Sequence, residues 1–109
     1  MALSTEKLAK AMLAAAKGKL DKNWPEIKEY AYTEARKTAE TLLLIERLAL
    51  TGEINQAQAK ALLRMQKASA QSVLLAVEGL GLLTAEAAIN AAVGAVKEVV
   101  NEAVGFAVI

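Results

Sequence analysis

Glu34 is the residue whose position in this sequence points most directly to chemistry. With the 3.6-residue period of an α-helix, it falls at the centre of an apolar stripe on the second predicted helix. A carboxylate facing a core has to pair with a cation or bind a metal or a polar ligand, because burying an unpaired charge costs free energy. Thr38 lies on the same side of that helix, and Gln66 and Ser69 lie on the predicted inner face of the next helix. These four side chains predict an internal polar pocket.

A simpler interpretation of the same residues is structural. A small rotation of the helix, or an opening to water beside a short first helix, leaves Glu34 hydrated, and Thr38 and Ser69 can bond to carbonyls one turn back. As a metal site the set is poor, because one glutamate without histidine or a second inward carboxylate cannot complete a coordination shell. We therefore expect no metal and no cofactor.

Histidine and cysteine are both absent from the 109 residues. Their absence removes the commonest general base near neutral pH, the commonest transition-metal ligand and every thiol nucleophile. Catalytic triads, zinc hydrolases and di-iron bundles each lose a required member. We therefore expect no enzymatic activity.

A second apolar strip on the predicted second helix favours association with another protein. Contiguous apolar surface outside a simple bundle is typical of partner interfaces, and tyrosine and arginine are enriched there. The strip and the two arginines that border it predict a homodimer, or a contact with an unidentified protein partner. The six residues are Tyr32, Arg36, Ala39, Leu43, Arg47 and Leu50.

Charge and hydropathy argue against several other partners. The formal net charge is +1 and aromatic residues make up 4% of the chain, so neither a basic field nor a stacking surface favours nucleic acid. The longest uncharged runs have about ten residues, half of what a spanning helix needs, so we expect a soluble cytoplasmic protein. Lysines in residues 7–22 and a short eleven-residue repeat near the end of the sequence are features of helices that lie on membrane surfaces. Contact with a membrane surface is therefore a third predicted function, which we disfavour.

The elements that position these residues are all predicted to be helices. Capping and turn residues predict a short helix that starts at Ser4 or Thr5 and ends near a turn at Asp21, Lys22 and Asn23, and a long one from Trp24 to Leu50. A third helix follows a capping box at Asn55 and ends at Gly79, and a fourth is expected over 84–109 with Thr84 as its cap. Short connections predict an all-α, antiparallel up-down four-helix bundle that forms a single domain over residues 1–109.

The faces predicted for the third and the last helix determine which side chains meet in the core. The last helix is apolar around about half of its circumference, so we place it at the centre of the bundle, covered by the other helices. The inner face of the third helix is predicted to hold Leu62, Met65, Gln66, Ser69, Val73, Ala76 and Val77.

The leading function predicted from these patterns is a non-enzymatic, self-associating interaction or structural module. The alternative is a bundle that binds a small molecule or an ion in the pocket around Glu34.

Overall fold

A computed structural model describes residues 2–109 of the chain. Helix accounts for 81% of the structure, and no strand occurs in the described residues, which confirms the all-α class. The helices are α1 (Thr5–Leu20), α2 (Trp24–Leu50), α3 (Gln56–Leu75), α4 (Leu82–Ala95) and α5 (Lys97–Val104). With α4 and α5 taken as one bent unit, four helical units pack into a body of 43 × 22 × 17 Å.

The first two helices are joined without a break in helical structure. A 3-10 turn at Asp21–Asn23 connects α1 to α2, so the run covers 46 residues, and the predicted short first helix is not a separate element. A straight helix of that length would measure about 69 Å, longer than the molecule, so the chain bends sharply at the turn. Pro25 then lies in the first turn of α2, where its missing N–H leaves no hydrogen bond unmade.

Helix α3 begins as the sequence indicates but presents a different face. Asn55 and Gln58 form the capping box, with each side chain accepting a hydrogen bond from the other's backbone N–H. The buried residues of the helix are Ala59, Leu63, Ala70 and Leu74. The predicted inner face of α3 is therefore wrong: the buried face is shifted by about one residue, which corresponds to a rotation of roughly 100° about the helix axis. As a result, Met65 is 69% exposed and Ser69 is exposed.

The single helix predicted over 84–109 is wrong at three points. It begins at Leu82, so Thr84 lies inside its first turn and does not cap it. It bends at Val96, whose φ of −112° and ψ of 7° are not helical, two residues after the weak helix former Gly94. It ends at Val104, because Gly105 adopts a left-handed conformation with φ of 94°.

This bend gives the two parts of the last unit different neighbours. Helix α4 packs mainly against α1 and less against α3, whereas α5 packs against α2. The unit is not surrounded by the others, since Leu82, Leu83 and Val99 are 50%, 80% and 50% exposed. Helix α2, which contacts α1, α3 and α5, holds the more central place and carries the residues of interest.

Candidate functional site

Glu34 lies in the middle of α2 and is buried, with 4% of its surface exposed. The helical period that buries Ile27, Ala31 and Leu42 along the same face also turns Glu34 inward. One turn later, Thr38 is buried as well, and its hydroxyl donates a hydrogen bond of 2.8 Å to the Glu34 carbonyl oxygen. Burial of the carboxylate therefore follows from its register in the helix.

The two oxygens of the Glu34 carboxylate have different surroundings. Oε2 lies 3.3 Å from Nζ of Lys37, whose side chain is 55% exposed. Oε1 is buried and has no hydrogen-bond partner among residues 2–109. An ion pair with a half-exposed lysine contributes little, whereas an unsatisfied buried acceptor is costly. The site therefore offers one free, desolvated acceptor to a donor from outside the chain.

A small cavity lies beside this carboxylate, where α1, α2, α3 and α4 meet. Its volume is about 40 Å³, and most of its wall is apolar. Much of the lining consists of alanines, among them Ala16, Ala31, Ala70 and Ala88, whose short side chains leave this space between the helices. One water needs roughly 10–15 Å³ measured in this way, so the cavity has room for about three non-hydrogen atoms.

Glu34 also borders an open groove on the outside of the bundle. This groove has a volume of about 620 Å³ and runs between the first half of α2 and Val73 of α3. Glu26, Glu29 and Tyr30 line it together with Lys37. Glu34 is therefore a lining residue of both the groove and the cavity.

The other predicted pocket residues are only partly brought together. The amide of Gln66 is half-buried and reaches helix α2, where Nε2 donates to Thr38 Oγ1 at 3.5 Å and Oε1 accepts from the Thr41 hydroxyl at 3.3 Å. Thr38 lines the cavity with Glu34. Ser69 is exposed on the rotated face of α3, so the structure does not place it in the pocket.

The strip predicted as an interface does not form one exposed surface. Tyr32 and Leu50 are 50% and 59% exposed, and the side chains of Arg36 and Arg47 are also exposed, with Arg36 paired to Glu40 at 3.7 Å. Between them, Ala39 is fully buried and Leu43 packs against the core. The exposed apolar parts of the strip are thus separated within the monomer.

Sequence reasoning missed a second buried carboxylate on this strip. Glu46 has no exposed surface, and its position between Leu43 and Leu50 on the same side of α2 is the signal that would have identified it. Its Oε2 accepts a hydrogen bond of 3.0 Å from the backbone N–H of Ala2, 44 residues away. The beginning of α1 therefore lies against the last turns of α2 and covers part of the strip.

Glu34 is the one titratable side chain among the described residues lining the cavity, so no acid and base pair is assembled there. Nowhere in residues 2–109 do three or more acidic side chains gather closely enough to share a metal ion. Within the same residues, every helix is too short or too polar to span a bilayer.

The fold and the site together define an all-α bundle with a buried carboxylate beside an alanine-lined cavity. The chain matches no family model, no curated protein and no solved structure.

Proposed function

We propose that this protein is a non-enzymatic helical bundle that binds a short primary amine in its ammonium form, with Glu34 as the anionic partner. The observation that carries the proposal is the buried Oε1 of Glu34, which has no hydrogen-bond partner among residues 2–109, on a residue that helps to line a cavity. Buried polar groups are almost always hydrogen-bonded, and an exception calls for a water or a ligand. A cationic donor satisfies this oxygen and also compensates its charge.

The size of the cavity limits the ligand. Room for about three non-hydrogen atoms accommodates an ammonium group at Oε1 and a short alkyl chain against alanines such as Ala31 and Ala88. In the outer groove Lys28 and Lys37 offset Glu26 and Glu29, and Tyr30, 51% exposed, offers an aromatic face to a cation. Ethylammonium is the simplest compound of this kind.

The proposal includes the up-down, antiparallel arrangement of the helices. Three contacts support it: Ala2 with Glu46 and Lys17 with Trp24 across the first two helices, and Thr41 with Gln66 across α2 and α3. In this arrangement the middle of α2 faces the ends of α1 and α3 and the second half of α4. The cavity then lies at one level of the bundle, away from both ends of α2.

Titration with ethylammonium chloride, followed by backbone amide chemical shifts, tests the binding. At a ceiling of about −1.5 kcal/mol per non-hydrogen atom, three atoms correspond to a Kd on the order of 1 mM. We expect saturable shifts in residues lining the cavity, and at least a tenfold weaker Kd for Glu34→Gln. The matched control is Glu40→Gln on the same helix, whose side chain is 61% exposed; it should bind as the unchanged chain does. Equal Kd values for Glu34→Gln and the unchanged chain would refute Glu34 as the anionic partner, and the absence of saturable shifts in the unchanged chain would refute amine binding.

Self-association stays a separate prediction. The half-exposed side chains of Tyr32 and Leu50 favour it, while burial of Ala39 between them limits the surface that the strip offers.

A further inference from the structure

Glu46 is a second buried carboxylate on α2. It has no exposed surface, and no lysine or arginine nitrogen lies within 4.0 Å of it in the part of the chain that the structure describes. The Ala2 N–H satisfies Oε2 at 3.0 Å, and Oε1 has no partner among the same residues. A fully buried charge without a compensating charge is strongly unfavourable, so this carboxylate calls for a positive group that residues 2–109 do not supply.

We propose that this site is built for the free α-amino group of Ala2, so that the chain works after hydrolysis of the bond between Met1 and Ala2. An α-amino group is largely protonated at pH 7, and an ammonium has three N–H donors where the amide has one. At the position of the Ala2 nitrogen, this group meets Oε2 at 3.0 Å and has further donors for Oε1. The buried carboxylate then becomes half of an ion pair.

The residues after Ala2 hold its nitrogen in place. Leu3 is 8% exposed and belongs to the core. Ser4 caps α1, with its hydroxyl accepting from the Lys7 N–H at 3.5 Å and its carbonyl accepting from the Leu8 N–H at 3.0 Å. The nitrogen therefore reaches Glu46 from a fixed segment that leads into α1.

The cleavage is an ordinary peptidase reaction. One water is consumed: the C–N bond between Met1 and Ala2 breaks, the carbonyl carbon keeps the hydroxyl, and the nitrogen takes up the proton. The proposal concerns the amino side of Ala2 and holds equally for a longer precursor.

This inference is independent of the proposed amine binding at Glu34. The two carboxylates are twelve positions apart on α2, about 18 Å along the helix, and they have no partner in common.

Thermal unfolding of four matched chains tests the pairing. Each chain starts at Ala2, released from a protease-cleavable precursor; two keep the free amine and two carry an N-acetyl group, which removes the charge and retains one N–H. One chain of each kind has Glu46, and the other has Glu46→Gln. We expect the free amine to raise Tm by about 5 °C or more with Glu46 and by less than about 1 °C with Glu46→Gln.

The comparison of the two Glu46 chains needs no substitution, so it remains decisive if Glu46→Gln fails to fold. An acetylated chain as stable as the free amine would overturn the proposal, as would an equal gain with Glu46→Gln. Intact mass of the protein from the cells that produce it gives a second test. We expect the mass of a chain that starts at Ala2, and uniform retention of residues before Ala2 would contradict the proposal.

Discussion

Replacing Glu34 by methionine tests whether the buried carboxylate is kept for binding at a cost in stability. Methionine is unbranched, has a similar helix propensity and fills the same space without charge. The replacement removes an ion pair with the half-exposed Lys37, which stabilises the fold by about 0–1 kcal/mol. It also removes an unsatisfied buried oxygen, which costs about 1–3 kcal/mol. The expected net change is a stabilisation of about 1–2 kcal/mol.

Urea unfolding followed by far-UV circular dichroism measures this change. With an m-value of about 1–2 kcal/mol/M for a chain of this size, we expect the midpoint of Glu34→Met to rise by roughly 1 M. Glu40→Met is the control, because Glu40 is largely exposed, and its free energy of unfolding should change by less than about 0.5 kcal/mol. At ten times its Kd, ethylammonium should stabilise the unchanged chain by about 1.4 kcal/mol and leave Glu34→Met unaffected.

A clear result against this reasoning would be destabilisation of Glu34→Met by more than about 1 kcal/mol. It would mean that the carboxylate makes an interaction on which the fold depends, for instance with buried water, and that stability alone explains its place. If Glu34→Met is instead more stable and no longer binds the amine, the residue shows the trade-off between stability and function that is typical of binding sites.

Two further predictions concern the end of the chain and the apolar strip. Asn101 Oδ1 accepts hydrogen bonds from the N–H groups of Val108 and Ile109 at 2.8 and 3.1 Å. Asn101→Ala should therefore accelerate hydrogen exchange of both amides at least tenfold. Unchanged exchange would show that packing alone holds this segment. Leu43→Glu should lower stability by about 2 kcal/mol or more, because Leu43 packs against the core. Leu50→Glu should change the free energy of unfolding by less than about 0.5 kcal/mol. If the strip forms a dimer interface, the substitution should also halve the molar mass measured by light scattering. A dimer that persists would exclude this strip as the interface.

Local patterns in the sequence were sufficient to predict the helical class and the beginnings of two helices. Pro25 and the capping box at Asn55 and Gln58 act within one turn of the backbone, so neighbouring residues decide their effect. The placement of Glu34 and Thr38 on a buried face also follows from one long, strongly periodic helix. These features need no information about what packs against them.

Contacts between distant segments decided the rest. The face that α3 buries depends on how its side chains fit α2 and α4, and a rotation of one residue moved Ser69 to the surface while keeping Gln66 beside Thr38. The bend at Val96 lets α5 pack on α2 after α4 has packed on α1. Burial of Glu46 depends on Ala2, 44 residues earlier in the chain.

The sequence by itself determined that this protein is a helical bundle with a carboxylate on the apolar face of its longest helix, because hydrophobic period and capping are properties of single helices. The tertiary structure decided that this carboxylate keeps a free oxygen beside a cavity, and that a second carboxylate lies against the start of the chain. Both depend on the packing of several helices at once, since the space left by alanines and the cover over a side chain exist only where separate segments meet.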